Sequence, residues 1–342
     1  SQTYAYDSLN RLTRLSHFDG IGTLINQYDY TLHPTGRRTQ IAESIGRTSS
    51  YTYDDLYRLT SETIVDPVNG NHSASYQYDR VGNRTFSTVN GVSTAYTYDA
   101  NDRLTQQGGE TYTYDAQGNT LTKTIDGFVS TYSHNAKQEL QGAGVNEAGV
   151  VTTTSYLYNP DGIRVQKTQD GAATNFLVDS NQDYAQVVAE TDSLSNVNVE
   201  YTYGDDLISQ TRSAAKSHYL YDGLGTTRGL TDGSGSVSDL YYYDAFGNTL
   251  ATSGSTENNY LFTGEQFDEA LDNYYLRARY YDPGVGRFTQ MDTWNGRKHN
   301  PVTLHKYLYA SVDPVNMIDP SGNVSIMGLM QATAVVGTLA TT

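Results

Sequence analysis

The chain has 342 residues, 38 acidic against 22 basic side chains for a net charge of −16, and no cysteine. So acidic a chain argues against a basic face for nucleic-acid phosphate or anionic lipid headgroups, and it can form neither a disulfide nor a thiolate metal site. With 31 Tyr against 8 Phe and 1 Trp, its aromatics are nearly all tyrosine, suited to a wall that is apolar on the ring face and hydrogen-bonded at the tip.

A string Tyr-x-Tyr-Asp recurs along the chain. Strong copies stand at Tyr4–Asp7, Tyr51–Asp54, Tyr76–Asp79, Tyr96–Asp99, Tyr112–Asp115, Tyr219–Asp222 and Tyr241–Asp244. Weaker ones begin at Tyr28, Tyr132, Tyr156, Tyr201 and Tyr260. Between the second aromatics of successive copies the spacing runs from 16 residues (Tyr98 to Tyr114) to 25 (Tyr53 to Tyr78). A period of about twenty residues is the mark of one supersecondary unit stacked many times.

Each unit reads as strand, tight turn, strand. Tyr-x-Tyr places both rings on one face of a strand, because side chains alternate. The Asp and the following Gly-Asn, as in Asp244-Ala245-Phe246-Gly247-Asn248, are turn formers. Arg-Leu-Thr, as in Arg58-Leu59-Thr60 or Arg103-Leu104-Thr105, resumes a strand with Leu inward. A lone hairpin is marginal, so neighbours must pair edge to edge. The spacing predicts an all-β chain of hairpins laid side by side into a curved wall, with the tyrosines of neighbouring units stacked and no helix before about residue 320. Gln141–Gly149 reads as a longer loop.

From Gly264 the pattern changes. Phe262-Thr263-Gly264-Glu265 leads to Tyr274-Tyr275-Leu276-Arg277-Ala278-Arg279-Tyr280-Tyr281-Asp282-Pro283, then Gly286-Arg287-Phe288, Tyr307-Leu308-Tyr309 and Asp319-Pro320-Ser321-Gly322. This ordered series, following the tyrosine-aspartate repeats, resembles the Rhs/YD-repeat family and its Rhs-repeat-associated core. The resemblance implies a β-hairpin solenoid wound into a hollow, cocoon-like shell and closed by the core as a cap, as in bacterial type VI Rhs effectors and insecticidal toxin complex C subunits. It divides the chain into a YD-repeat shell over 1–263, the core with an aspartic autoprotease over 264–322, and the start of a variable cargo-leading segment over 323–342.

The family resemblance also implies chemistry. Members cut their own backbone after the core with a pair of aspartates in two Asp-Pro-x-Gly motifs. The second copy is intact at Asp319; the first is degenerate at Asp292-Thr293-Trp294-Asn295, with Gly296 one place late. The spacer is longer than the pattern, 27 residues from Asp292 to Asp319 (319 − 292), with the excess expected in Arg297-Lys298-His299. Two adjacent carboxylates share a proton, so one can act as base on water while the other polarises the scissile carbonyl. The pair needs no cofactor and no metal. Arg287 is the expected helper, orienting a carboxylate or the cleaved strand.

Cleavage is expected at Met327–Gly328 or Met330–Gln331, with the residues after Gly322 running extended past the pair. The tail 324–342 is long enough to span a bilayer but weakly hydrophobic, and reads rather as a segment threaded inside the shell. As partners the resemblance implies the protein's own C-terminal toxin as cargo, components of a secretion apparatus or toxin complex, and an immunity protein. It implies synthesis in the bacterial cytoplasm followed by export. Against it stands a bland reading, in which Asp-Pro and Asp-x-x-Gly are only turn sequences and the chain is a non-cleaving shell for adhesion or carbohydrate binding, as in teneurins.

Overall fold

In the computed structural model, which describes residues 1–327, the strands from Gln2–Tyr6 to Thr249–Ser253 form one 24-stranded antiparallel sheet. Pairing runs from each strand to its chain neighbour, a meander without crossovers. Helix among the described residues is limited to short 3-10 turns at Phe262–Gly264, Pro301–Leu304 and Ala310–Val312. No helix there is long and apolar enough to cross a membrane. Most of the expected loop at Gln141–Gly149 is strand instead, because Leu140–Glu147 pairs with Val150–Tyr158 across a tight turn.

The repeat's chemistry explains its geometry. In Tyr76-Gln77-Tyr78-Asp79, Tyr76 is buried, Gln77 exposed and Tyr78 half-buried. Tyr78 sits at a register slip against Arg84, a bulge that bends the strand before its turn. Its hydroxyl donates to the Leu59 carbonyl of the preceding unit at 2.7 Å. Tyr53, Tyr98, Tyr114, Tyr158 and Tyr221 do the same to the carbonyls of Arg38, Arg84, Leu104, Leu140 and Leu207 at 2.6–2.9 Å.

The aspartate closes the turn. Oδ1 of Asp99 accepts the amides of Asn101 and Arg103 at 2.9 and 3.0 Å, while Oδ2 takes Arg103 Nε at 2.6 Å. Asp7 and Asp54 repeat this with Arg11 and Arg58. At Asp79, Asp115, Asp192 and Asp244 an Asn side chain replaces the arginine.

The expected stacking of tyrosines between units gives way to arginine. Arg84 lies 4.6 Å from the Tyr76 ring centroid and 5.7 Å from that of Tyr96, so its guanidinium stands between neighbouring units. Arg58 lies over Tyr78 at 5.1 Å. Arg84 is itself buried, and its planar guanidinium can lie against the faces of two rings at once, which ring-on-ring stacking at this spacing cannot do.

The sheet curls until its late hairpins meet its first strands. Gly223 N donates to the Tyr30 hydroxyl at 2.7 Å, His17 Nε2 lies 2.6 Å from the Tyr221 carbonyl, and Ala245 N donates to Glu62 at 2.9 Å. Arg228 pairs with Glu43 at 2.8 Å across this seam, and Glu43 also holds Arg47 at 2.7 Å.

After Ser253 the chain crosses the mouth of the curl. A four-stranded sheet (Gln266–Asp268, Asn273–Leu276, Arg279–Asp282, Arg287–Phe288) packs on Phe262 and Tyr309, with the rings of Tyr281 and Tyr309 stacked at 3.9 Å. This cap reaches the wall at distant points. Tyr281 donates to the Phe246 carbonyl at 2.7 Å, Tyr307 to that of Gly118 at 2.8 Å, and Arg164 holds Asp268 at 3.1 Å and the Tyr280 hydroxyl at 2.8 Å. Asp313 pairs with Arg37 at 3.1 Å, and Asn316 accepts the Arg38 amide at 2.9 Å.

Two outcomes follow for stability. Leu59, at 0% exposure, should lose about 3 kcal/mol on mutation to Ala, whereas Leu56, at 66%, should change by less than about 0.5 kcal/mol, both read from denaturant midpoints. Burial pushes the Asp313 carboxyl up to about 7, outweighing Asn316 and Arg37 because the side chain is almost fully enclosed. A carboxyl raised on folding stabilises below its unfolded value and loses that contribution as pH rises through about 7. Midpoints should therefore fall across that range, and Asp313→Asn should flatten the fall.

Candidate active site

Asp292 and Asp319 converge on one guanidinium nitrogen. Nη2 of Arg279 lies 3.1 Å from Oδ2 of Asp292 and 3.7 Å from Oδ2 of Asp319. All three residues are buried, at 4% exposure for Arg279, 6% for Asp292 and 2% for Asp319. Burial raises both carboxyls above the ordinary aspartate range, against the pull of Arg279. Burial likewise lowers Arg279 to about 10, against the pull of both aspartates, so it stays charged at neutral pH.

The second motif is a tight turn built like those of the repeats. Oδ1 of Asp319 accepts the amides of Asn323 and Val324, each at 3.0 Å, and the Ser321 hydroxyl at 3.2 Å. Gly322 has φ 72°, and a Cβ there would collide with the Leu276 carbonyl. A strip of the cap holds the turn's successive carbonyls. Arg277 Nη1 donates to Pro320 at 2.5 Å, Ala278 N to Ser321 at 3.3 Å, and Arg279 Nε to Gly322. The chain then runs into a short strand, Ile326–Met327, antiparallel to Met317–Ile318. The chain is not extended directly after Gly322: Asn323 is still in a bend, its amide and that of Val324 turn back on Asp319, and only Ile326–Met327 is strand, with Met327 51% exposed. Gly328, Met330 and Gln331 lie outside the described residues.

The degenerate first motif is looser. Oδ1 of Asp292 accepts the Trp294 amide at 2.7 Å, and Lys306 Nζ donates to the Trp294 carbonyl at 2.5 Å. The extra residues loop out and close on themselves. Asp292 N donates to the Lys306 carbonyl at 3.0 Å, and inside the loop Thr303 Oγ1 accepts the Arg297 amide at 2.7 Å. The longer spacer therefore leaves Asp292 in place.

Arg287 is elsewhere. Its Nη1 donates to Asn83 Oδ1 at 2.8 Å, its Nη2 donates to the Asp102 carbonyl at 2.5 Å, and its guanidinium lies over Tyr98 and Tyr307. It fastens the cap to the wall, and the guanidinium that lies beside the two carboxylates is that of Arg279. Arg287 lies only five residues before Asp292 (292 − 287), but a strand pairing sets which arginine reaches it. Arg287–Phe288 pairs with Arg279–Asp282, and Arg279 projects to the other side of the cap. The Arg-x-Arg at Arg277 and Arg279 was the available signal.

Residues 27–315 match the Teneurin YD-shell family. The tRNA3(Ser)-specific nuclease WapA of Bacillus spizizenii is 34% identical over 326 residues, covering 93% of this chain and 12% of its own length. The tRNA nuclease WapA of Bacillus subtilis is 33% identical with the same coverage of both chains, 93% and 12%. The double-stranded DNA deaminase toxin A of Burkholderia cenocepacia is 26% identical over 339 residues, 91% of this chain and 22% of that one. The chain thus spans about an eighth of the length of the nucleases it matches. Among solved structures, the TcdB2-TccC3-Cdc42 complex superposes with a TM-score of 0.76 at 20% identity, over 94% of this chain and 18% of that one, a likeness of fold. With a match that runs over residues 27–315, the chain belongs to the Teneurin YD-shell family.

Proposed function

We propose that this chain is part of the shell of a secreted bacterial toxin, and that its carboxylate pair cuts the backbone just after the cap to free a C-terminal cargo. The observation that carries the proposal is the convergence of buried Asp292 and Asp319 on Arg279 beside an extended strand leaving the cap. The relatives support the carrier part. Proteins named as a tRNA nuclease and as a double-stranded DNA deaminase toxin both match this segment, which supports reading it as a carrier common to different activities. The cargo, the toxin-complex or secretion components, the immunity protein and the export route belong to the same proposal.

Both carboxyls meet the same guanidinium nitrogen and burial raises both, so in this reading the pair works with one member ionised and the other protonated. The ionised member takes a proton from water as the water oxygen bonds to the scissile carbonyl carbon. The neutral member passes its proton to the carbonyl oxygen. When the tetrahedral intermediate collapses, the C–N bond breaks, the nitrogen takes up a proton, and a new carboxyl terminus and a free amine remain. One turnover suffices, and a peptide held in place by the cap supplies the effective concentration.

The competing reading, a non-cleaving shell, has one observation in its favour. Asp319 Oδ1 does the turn-closing work that repeat aspartates do without catalysis. Mass spectrometry of a chain running past Thr342 separates the two. The wild type should give two fragments at neutral pH, and Asp319→Asn and Asp292→Asn a single intact species that remains folded. The cleavage rate should be bell-shaped in pH and displaced upward from an ordinary aspartate pair, because both carboxyls are raised. An intact wild type after days, or an Asp319→Asn variant that cleaves at the normal rate, would leave only the shell.

A further inference from the structure

We infer that Arg38 is a positioning residue for the carboxylate pair, and that through it self-cleavage waits on closure of the wall. This deepens the self-cleavage reading and rests on it. The two carboxylates stand on separate stretches of the cap, and each stretch is bonded to a different part of the wall. On the Asp292 side, the Thr289 carbonyl accepts the amide and hydroxyl of Thr120 at 3.0 and 2.8 Å, and His305 Nε2 lies 2.9 Å from Asn83 Oδ1. On the Asp319 side, the turn over 313–316 is held by Arg37, Arg38 and Tyr53 of the first strands.

Three parts of the molecule meet at Arg38. It opens the strand Arg38–Glu43 and is 1% exposed. Nη1 donates to the Val315 carbonyl of the cap at 2.8 Å, and Nη2 to the Gly223 carbonyl of a late hairpin turn at 2.6 Å. The Arg38 amide donates to Asn316 Oδ1 at 2.9 Å. Its carbonyl accepts the Tyr53 hydroxyl at 2.6 Å, which itself accepts Asn316 Nδ2 at 3.0 Å. The guanidinium lies 4.9 Å from the Tyr30 ring centroid, and the Tyr30 hydroxyl accepts the Gly223 amide at 2.7 Å. The fork is thus bonded to one carbonyl of the cap and one from across the seam.

Such a junction is all or none. A buried guanidinium that loses one carbonyl keeps its desolvation cost and gives up part of the compensation. An open seam would therefore draw Arg38 toward water and away from Val315. Asp319 follows Asn316 by three residues (319 − 316), with only the strand Met317–Ile318 between them. That strand also pairs with Ile326–Met327, at the entry to the expected cleavage region. Releasing 313–316 loosens both the second carboxylate and the chain to be cut, while Asp292 stays on its own ties. Only a wall whose late hairpins have come round to its first strands holds both carboxylates in place.

Two substitutions reach this junction from opposite sides. Arg38→Gln removes the fork. Gly223→Ala forces the seam apart without touching the cap, because a Cβ there would lie 2.8 Å from Leu12 Cδ2 and from the Tyr30 hydroxyl. In a chain running past Thr342, each should slow cleavage about tenfold. Leu15, 2% exposed in a cluster of first-strand residues alone, supplies the control: Leu15→Ala should lower the denaturant midpoint yet leave the rate within about twofold. In the 342-residue protein, amide exchange over 313–319 should quicken in Arg38→Gln and Gly223→Ala and stay unchanged in Leu15→Ala. A normal cleavage rate or unaltered exchange in either seam variant overturns the inference, and so does equal slowing in Leu15→Ala, which would make the effect one of stability. If the exchange pattern appears while the wild type stays intact, the coupling of wall to cap stands and the self-cleavage reading falls.

Discussion

The interaction on which the rest depends is the aspartate that closes the turn of the strong repeats. A tight turn leaves amides with no strand partner, and an unpaired buried amide costs about 1–3 kcal/mol. The carboxylate of Asp99 supplies acceptors for Asn101 and Arg103 at once, and Asp54 and Asp222 do the same in their own units. With the turn fixed, the bulge at the preceding tyrosine follows, and the hydroxyl of that tyrosine reaches the carbonyl of the unit before. Turn, bulge and inter-unit bond are one device. The chain's acidity is partly its signature, because each strong copy carries an acid and only some carry the arginine that balances it.

Between windings the logic changes from hydrogen bonds to buried charge. Glu43, Arg47 and Arg228 form a network at the seam, with side-chain exposures of 1%, 4% and 7%. Desolvating such groups costs nearly what their attraction returns, so their value lies in register more than in stability. A slip by one repeat would leave Arg228 without Glu43. The hydrophobic wall, being periodic, would tolerate that slip; the charges would not.

Local structure was legible in the sequence because its causes are local. The alternation of Tyr76, Gln77 and Tyr78, the turn at Asp79 and the inward Leu59 all follow from residues within one unit. What escaped notice depends on residues far apart in sequence. Arg228 and Glu43 are separated by 185 positions, and nothing in either neighbourhood announces the other. The arginines between tyrosines were visible as residues but not as partners, since aromatic strings suggest aromatic stacks. At the candidate site the two aspartates were readable from their motifs. The choice between Arg279 and Arg287 was not, because it turns on which side of one strand pair each side chain emerges.

The cap has a consequence for how the wall comes apart. A linear array of repeats loses its units one by one, since each touches only its neighbours. Here Gly118, Arg164 and Phe246 are tied to the same cap, so repeats far apart along the chain share a common crosspiece. Fraying from either end should advance freely only to the first tied repeat. From there the wall and the crosspiece must fail together, as an arch does when its keystone goes.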